Sequence, residues 1–263
     1  MNKKYGHSRQ LSIGWSSCLC VFLLLGLAHA APTSQTAFRT EQRPDFAEMT
    51  LEELMNIEIT SVSRRPQRLS EAAAAVFVIT QEDIRRSGTT SIPEALRMVP
   101  GLQVARINAN AWAITARGFN GRFANKLLVL MDGRSLYTPA FSGVYWDVQD
   151  TLLEDVDRIE VIRGPGGATL WGANAVNGVI NIITRQAKDT QGALVSAGSG
   201  TDEQGFGGVR YGGKVGDDAY YRIYAKYFNR DGGVDASGDD TADDWDVLRA
   251  GFRADWEVRA DNV

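Results

Sequence analysis

Cysteine and histidine are scarce in this sequence and are confined to its first thirty residues. Among 263 residues, the only examples are Cys18, Cys20, His7 and His29. The rest of the chain therefore lacks the residues of Ser-His-Asp and Cys-His catalytic sites, the common zinc and haem ligands, and any disulfide. Because only carboxylates, Arg, Lys, Tyr and hydroxyls remain for chemistry, binding or transport is favoured over catalysis. We expect neither a cofactor nor a metal site.

An excess of positive charge is also missing beyond the first thirty residues. Those thirty contain Lys3, Lys4 and Arg9 and no acid, whereas the remainder has 25 Lys and Arg against 32 Asp and Glu. A body of net negative charge argues against non-specific binding to nucleic acid.

The first thirty residues have the pattern of a secretory signal peptide. Their basic start is followed by an apolar run from Leu19 to Leu27 and by Ala28-His29-Ala30, a small-x-small cleavage site. The run is short for a membrane-spanning helix, so a retained anchor is the weaker alternative. We therefore assign residues 1–30 to a signal peptide and expect an exported protein.

Residues 31–185 divide into a polar arm and a compact unit. The arm, residues 31–71, is predicted to be flexible and contains one alternating, β-prone segment at 57–63. Residues 72–185 predict an α+β domain. In it Thr80 and Asp83 cap a helix that ends at Gly88, and Ser91 and Glu94 form a second capping box. A tight turn is predicted at Asp132-Gly133. Strands are predicted at 76–79, 102–105, 113–116, 127–131, 158–162 and 179–184.

Residues 186–263 change to alternation of apolar and charged side chains. Three segments, at 209–215, 219–227 and 248–258, each have one apolar and one charged face, and 193–197 is a weaker fourth case. A Gly/Asp-rich loop at 231–246 precedes the last of them. Such segments are typical of the first strands of an outer-membrane β-barrel. A soluble antiparallel sheet gives the same periodicity, but the signal peptide favours the barrel. Four strands cannot close a barrel, so we expect the chain to be C-terminally truncated.

The glycine-rich segment Gly164-Pro165-Gly166-Gly167 follows a predicted strand, as in a dinucleotide-binding loop. Only about fifteen residues separate it from the next strand at Val179, which is too few for a crossover helix with its loops. No acid occupies the expected ribose-binding position. The sequence therefore argues against a nucleotide site, and the glycines are interpreted as points of close backbone approach or positive φ.

The run from Arg163 to Arg185, with several segments before it, closely resembles the plug domain of TonB-dependent outer-membrane receptors. The earlier matching segments are Val78-Ile79-Thr80, Leu96-Arg97-Met98-Val99-Pro100-Gly101, Arg117-Gly118-Phe119, Val129-Leu130-Met131-Asp132-Gly133 and Ile159-Glu160-Val161. The resemblance covers residues 72–185. The residues expected to be structural in this motif are Gly118, Asp132, Gly133, Gly164, Pro165, Gly172, Gly178 and Asn181.

This resemblance implies a plug seated in a barrel of about 22 strands. The segment of Ile57, Glu58, Ile59, Thr60, Ser61, Val62 and Ser63 looks like the TonB box, which TonB would bind by adding a strand. An accidental alternation in a linker is the alternative. Arg117 and Arg163 match plug arginines that pair with glutamates of the barrel wall, an arrangement we name the plug-barrel latch. Ordinary surface arginines are the alternative there.

The resemblance also implies ligand contacts on two groups of plug residues. Asn108, Asn110 and Trp112 lie between two predicted strands. Aromatic side chains follow the Asp132-Gly133 turn, at Tyr137, Phe141, Tyr145 and Trp146. Aromatic residues are also common in cores, so a purely structural role is the alternative for this second group.

The function implied is that of a TonB-dependent transporter in the outer membrane rather than an enzyme. It would be a monomer that takes up a scarce ligand, such as a ferric siderophore or a cobalamin, with energy delivered through TonB. Two alternatives stay open at this stage. One is a stand-alone periplasmic plug-like module that binds a ligand without transporting it. The other is an exported hydrolase that uses carboxylates such as Asp132 and Glu160.

Overall fold

The computed structural model describes residues 58–59, 61, 67–72 and 74–257. The predicted signal peptide and the TonB-box positions Ile57, Thr60, Val62 and Ser63 lie outside these residues. The strands, numbered along the chain, are β1 (Glu58–Ile59), β2 (Gln67–Arg68), β3 (Ala75–Thr80), β4 (Leu102–Arg106), β5 (Trp112–Ala116), β6 (Leu127–Met131), β7 (Arg134–Ser135), β8 (Val156–Arg163), β9 (Gly178–Thr184), β10 (Gly192–Gly198), β11 (Glu203–Val215), β12 (Ala219–Arg230) and β13 (Trp245–Trp256). The α-helices are α1 (Gln81–Ser87), α2 (Ile92–Ala95) and α3 (Ala168–Trp171).

Helix α1 begins and ends where the sequence predicts. Thr80 Oγ1 accepts a hydrogen bond from the backbone N–H of Asp83 at 3.1 Å, and Asp83 Oδ2 accepts one from the backbone N–H of Thr80 at 2.8 Å. Gly88 follows the helix with φ of 68°, the left-handed conformation that commonly ends helices. The predicted capping box is therefore confirmed. No helix of the described residues is long and apolar enough to cross a lipid bilayer.

The second predicted capping box, at Ser91 and Glu94, is wrong. Ser91 precedes α2, but its side chain makes no capping hydrogen bond. The Glu94 carboxylate lies instead near Thr90, whose backbone N–H and hydroxyl donate to it at 3.4 and 3.5 Å. The capping-box pattern predicts that the Glu94 carboxylate accepts a hydrogen bond from the Ser91 backbone N–H, but it accepts from Thr90 instead. Helix α2 is only four residues long and continues as a 3-10 turn over Leu96–Met98.

Five strands form a mixed sheet in the order β3-β8-β9-β6-β7. Strands β6 and β9 are parallel, and the other neighbours are antiparallel. The central strands carry buried apolar residues on both faces, together with the buried polar residues Glu160 and Asn181, so both faces are covered. Residues such as Val129 and Ile180 pack on one face with α1, α2 and the β4–β5 hairpin, while Leu128 and Val179 belong to a smaller cluster on the other.

The glycine-rich segment after β8 leads through α3 and short 3-10 turns into β9. Strands β8 and β9 are antiparallel neighbours, whereas the dinucleotide-binding unit requires parallel strands joined by a crossover helix. The topology therefore confirms that this segment is not a dinucleotide-binding loop.

The Asp132-Gly133 turn joins β6 to β7, as predicted. Both residues have positive φ, 49° and 79°, which is the pattern of a type I′ hairpin turn. The Asp132 carboxylate accepts hydrogen bonds from the backbone N–H and the hydroxyl of Thr184 at 2.8 and 2.7 Å. The turn is thereby fixed to the end of β9.

Strands β10 to β13 form a second, antiparallel sheet in chain order. Its last three strands are 12 or 13 residues long, and residues 199–202, 216–218 and 231–244 connect the strands. We name the end that carries 199–202 and 231–244 the long-loop end, and the end that carries 216–218 the short-turn end. The predicted open antiparallel sheet after an α+β plug is confirmed.

Candidate functional site

One face of the β10–β13 sheet is apolar and exposed, and we name it the outer face. The register places Ile223 between Tyr211 and Phe252 across three strands. Phe252 is 81% exposed and Trp256 is 78% exposed. The large exposed side chains of this face are Val195, Val209, Tyr211, Val215, Ile223, Tyr227, Leu248, Phe252 and Trp256. They form one continuous apolar surface over four strands.

The inner face of the same sheet is basic and packs against the plug. Five of its cations make ion pairs with acids of the plug or of the sheet itself: Arg210, Arg222, Lys226, Arg230 and Arg253. Arg249, which the register places opposite Lys226, lies on the same face. Because side chains alternate along each strand, the same pattern that exposes apolar residues outward brings these cations inward.

Asp155 is the most deeply buried acid of this interface. It precedes β8, its side chain is fully buried, and its Oδ1 accepts a hydrogen bond from Arg210 Nη1 at 2.5 Å. Arg222 Nε lies 3.4 Å from its other oxygen, and Arg222 Nη1 donates to the carbonyl of Arg185 at 2.6 Å. Removing either side of this group would leave a buried charge without its partner.

Lys226 of β12 makes a second buried contact with the plug. Its ammonium donates to Asp150 Oδ1 at 2.9 Å and to the carbonyls of Thr90 and Thr151 at 3.1 and 3.3 Å. Three acceptors match the three donors of an ammonium. Lys226 therefore holds two separate plug segments against the same strand.

Arg253 of β13 binds the end of the mixed sheet. Its Nη1 donates to Thr184 Oγ1 at 2.8 Å and lies 3.5 Å from Asp132 Oδ2. The neighbouring Asp255 accepts a hydrogen bond from the backbone N–H of Ala187 at 2.5 Å. The β6–β7 turn and the segment after β9 are thus both attached to the short-turn end of the β10–β13 sheet, which we name the wall.

Two glycines of β11 allow the plug to approach the inner face. A Cβ atom at Gly208 would collide with the Leu152 side chain, and one at Gly212 would collide with the carbonyl of Thr190. Gly205, in the same strand, has nothing within 4 Å of that position. Gly208 and Gly212 of β11 therefore have a packing role against segments outside the sheet, which Gly205 does not have.

The two arginines of the predicted plug-barrel latch lie away from this sheet. Arg163 Nη1 donates to the carbonyl of Pro100 at 2.7 Å. Arg117, with φ of 66°, places its guanidinium beside Gly164. Neither arginine makes an ion pair with a described residue of β10–β13. The buried contacts with β11 and β12 instead join the plug acids Asp155 and Asp150 to bases of that sheet, and the latch stays a prediction.

The part of the predicted TonB box that the structure describes is docked on the plug. Residues Glu58–Ile59 pair with Gln67–Arg68, and Ile59 and Ser61 are buried. Ser61 donates from its backbone N–H and its hydroxyl to Glu160 Oε2, at 2.9 and 2.5 Å. Within the arm predicted to be flexible, these two residues are therefore held by specific contacts.

Contacts at the long-loop end join the plug hairpin β4–β5 to the wall. Arg106 pairs with Asp202 at 2.5 Å, and the backbone N–H of Ala109 donates to Asp243 Oδ2 at 2.7 Å. The hydrogen bonds from Ala109, Thr241 and Gly233 lower the pKa of Asp243 to about 2. The Arg106 guanidinium lowers the pKa of Asp202 in the same way. Both carboxylates are consequently charged at neutral pH.

The predicted ligand residues are only partly brought together. Asn110, Trp112 and Trp146 line one pocket at the long-loop end, where Asp147 and Trp245 join them. Both predicted tryptophans are at least nine-tenths buried. The Asn108 side chain stabilises the tip of the β4–β5 hairpin, since its Oδ1 accepts hydrogen bonds from the backbone N–H groups of Asn110 and Ala111. The wall residue Trp245 carries no motif by which the sequence alone would identify it.

The other three predicted aromatics lie elsewhere. Phe141 packs edge-to-face on Tyr145 at 4.9 Å and on Phe123 at 5.1 Å between ring centroids. Tyr137 donates its hydroxyl hydrogen to the carbonyl of Asn174 at 3.2 Å, and burial raises the pKa of Tyr137 to about 12. The seven residues predicted as ligand contacts do not form a single site, and their role in ligand binding stays a prediction.

Asp132 and Glu160, the carboxylates considered for hydrolysis, both have structural partners. Asp132 accepts two hydrogen bonds from Thr184. Glu160 is completely buried and accepts from Ser61 and Arg158. Both carboxylates are thus engaged in contacts that hold the plug together.

Comparison with known proteins identifies the plug. The family described as TonB-dependent Receptor Plug Domain matches residues 68–179. Among curated proteins, the vitamin B12 transporter BtuB of Vibrio vulnificus (strain CMCP6) is 34% identical over 148 residues, 56% of this chain and 23% of that protein. BtuB of Vibrio cholerae serotype O1 is 36% identical over 143 residues, 54% of this chain and 23% of that protein. The chain therefore spans about a quarter of the length of these relatives.

Solved structures share the fold. The pyoverdine outer membrane receptor FpvA from Pseudomonas aeruginosa PAO1 aligns with a TM-score of 0.55 and 22% identity, over 68% of this chain and 25% of that one. The siderophore receptor PiuA from Acinetobacter baumannii aligns with a TM-score of 0.52 and 24% identity, over 69% and 24%. At these identities the likeness shows the fold alone.

Proposed function

We propose that this chain belongs to an outer-membrane transporter, because residues 68–179 match the TonB-dependent Receptor Plug Domain family. It supplies the plug and part of the membrane-embedded wall. The ligand is a scarce one, such as a ferric siderophore or a cobalamin, and TonB supplies the energy. The observation that carries the proposal is the sheet of β10–β13, which has an apolar outer face and an inner face ion-paired to the plug.

The lengths of the connections give the orientation in the membrane. Barrels of the outer membrane have short periplasmic turns and longer extracellular loops. The short-turn end therefore faces the periplasm, and the long-loop end faces the outside. This places the 231–244 loop and the tip of the β4–β5 hairpin at the extracellular side, where a ligand arrives.

The pocket at the long-loop end is the proposed ligand contact. Asn110, Asp147 and Trp245 line this pocket and are partly exposed, whereas Trp112 and Trp146 are at least nine-tenths buried. The pocket is too small to enclose a bulky chelate, so the proposed contact is with the three partly exposed residues, of which Trp245 offers aromatic surface and the other two offer polar groups. The names of the relatives, vitamin B12 transporters and pyoverdine receptors, support a ligand of this kind.

Partnership with TonB is proposed from the segment at 57–63. It is β-prone and lies ahead of the plug along the chain, as a strand-adding partner requires. A photo-crosslinking residue at Thr60 is expected to capture TonB in cells that carry the native protein. The same residue at Thr201, in the turn of the long-loop end, should give no TonB adduct. Absence of the Thr60 adduct would contradict this assignment.

Transport itself is tested by uptake of radiolabelled cobalamin and of iron-55 siderophores by cells with and without the gene. We expect uptake of one ligand to fall to background when the gene is deleted, and also when TonB is absent. Unchanged uptake of every ligand tried, with the protein present in the outer membrane, would contradict a transport role and leave a binding role.

A further inference from the structure

Glu160 is a charged side chain at the centre of the plug sheet. It lies in β8, is fully buried, and divides its two oxygens between two partners. Arg158 Nε donates to Oε1 at 2.8 Å, and Ser61 donates to Oε2 from both its N–H and its hydroxyl. A buried carboxylate is stable only when its oxygens are hydrogen-bonded. Part of that bonding comes from a residue 99 positions earlier in the chain.

Ser61 is held by three plug residues at once. Besides its two bonds to Glu160, its hydroxyl oxygen accepts a hydrogen bond from Asn181 Nδ2 at 3.0 Å. Its backbone carbonyl accepts one from Trp171 Nε1 at 2.8 Å. The backbone N–H and C=O of Ser61 are therefore both occupied by plug side chains. Ile59, two residues earlier, is fully buried.

We propose that Glu160 is the positioning residue that holds Ser61, and with it the buried Ile59, on the plug, and that its bonds to Ser61 must break before TonB pairs with this segment. The inference rests on the proposed TonB partnership. A strand-adding partner binds through the backbone N–H and C=O groups of the segment. At Ser61 those groups are already bonded to Glu160 and Trp171. Ser61 consequently cannot be bonded to the plug and paired with TonB at the same time.

Thiol labelling of an Ile59→Cys variant in isolated outer membranes tests the proposal. The cysteines of residues 1–263 lie at 18 and 20, within the predicted signal peptide. Any cysteine elsewhere in the native protein is first replaced by serine, so that the thiol at 59 is the only reporter. Its rate of reaction with a maleimide measures how often the buried segment leaves the plug. In this background, Glu160→Ala and Ser61→Ala should each raise the labelling rate about tenfold or more, because each removes a charge-assisted hydrogen bond.

Glu160→Gln should raise the rate less than Glu160→Ala, since its amide oxygen still accepts from Ser61. The matched control is Glu154→Gln in the turn before β8, which should leave the rate unchanged. Ser61→Ala leaves the plug sheet intact and therefore decides the question if Glu160→Ala fails to reach the outer membrane. Unchanged labelling in Ser61→Ala, or an equal increase in Glu154→Gln, would overturn the proposal.

The same variants separate this inference from the proposed function. If labelling rises as expected but Thr60 never crosslinks to TonB, then Glu160 holds the segment and the TonB assignment fails. If Thr60 crosslinks to TonB equally in the parent protein and in Ser61→Ala and Glu160→Ala, the bonds at Ser61 do not limit access, and the inference is overturned.

Discussion

The mixed sheet of the plug buries apolar side chains on both faces, whereas the sheet of β10–β13 buries its charged face and exposes its apolar one. Val129 and Ile180 of the plug are almost inaccessible, while Phe252 and Trp256 of the wall are largely exposed. In water the second arrangement is unfavourable, since apolar area is left uncovered. The difference is consistent with a plug sheet that is covered by protein and an outer face of β10–β13 that, in the proposed function, contacts lipid.

The plug supplies counterions for several cations of the charged face. Asp155, Asp150 and Asp132 each meet a cation of the wall. Without the plug, the cations of this face that pair with Asp155, Asp150 and Asp132 would lose those partners. The plug therefore covers charges of the β10–β13 sheet, and in the proposed function lipid covers its apolar face.

The largest expected effect comes from removing the most buried counterion. Asp155→Ala leaves Arg210 and Arg222 without their shared acid, and breaking a buried pair destabilises by about 3–5 kcal/mol. We expect a loss of this order in the free energy of unfolding, measured by urea titration of the native protein in detergent. Asp217→Ala, at an exposed turn, is the control and should change it by less than about 0.5 kcal/mol. Equal behaviour of the two variants would show that the plug does not depend on this contact.

A charge on the outer face separates lipid from water as its surroundings. Phe252→Arg should destabilise the membrane-inserted protein by about 2–4 kcal/mol if the residue faces the bilayer interior. If the face were in water, the same change at an 81% exposed position would be nearly neutral. Folding into lipid vesicles at increasing urea measures the effect. Val234→Arg, exposed in the 231–244 loop, should be neutral in either case.

Filling the space where the plug approaches the wall should have a smaller effect. Gly208→Val places a side chain against Leu152, and overpacking of this kind destabilises by about 1–3 kcal/mol. Gly205→Val, in the same strand but without a neighbour at that position, is the matched control. Increased trypsin cleavage of the plug is expected for the Gly208 variant alone. Cleavage of both variants would point to a general loss of strand structure.

The smallest effect concerns the pH range in which the 231–244 loop stays attached to the plug. The pKa of Asp243 is lowered from its model-peptide value of 3.8 to about 2. A lowered pKa stabilises the attached state above pH 3.8, and the contribution is lost as pH falls through about 2. Pepsin, which is active in acid, should cleave this loop slowly at pH 4 and faster near pH 2. Asp243→Asn should be cleaved rapidly at both values, and identical pH profiles would contradict the attachment.

Local features of the fold are those that the sequence predicts well. The α1 capping box and the Asp132-Gly133 turn depend on residues within four positions of one another. The four alternating wall strands follow from a two-residue period. One local prediction, the capping box at Ser91 and Glu94, is wrong. The Glu94 carboxylate accepts hydrogen bonds from Thr90 rather than from the neighbouring Ser91.

Contacts between distant residues are those that the sequence does not predict. Nothing near Ser61 indicates that Glu160 will bond to it, since the two are 99 positions apart. The family resemblance points to the plug arginines Arg117 and Arg163, whereas the buried contacts with β11 and β12 use the plug acids Asp155 and Asp150. In the same way, Trp245 joins Asn110 and Trp112 in one pocket only through the tertiary fold.

Fractionation of the source cells tests the central claim most directly. An antibody against the plug, applied to outer-membrane, inner-membrane and periplasmic fractions, locates the native protein. The account predicts that the protein stays in the outer-membrane fraction after washing with high salt and alkaline carbonate, because the apolar face of β10–β13 lies in lipid. Recovery of the protein in the soluble periplasmic fraction would contradict the account.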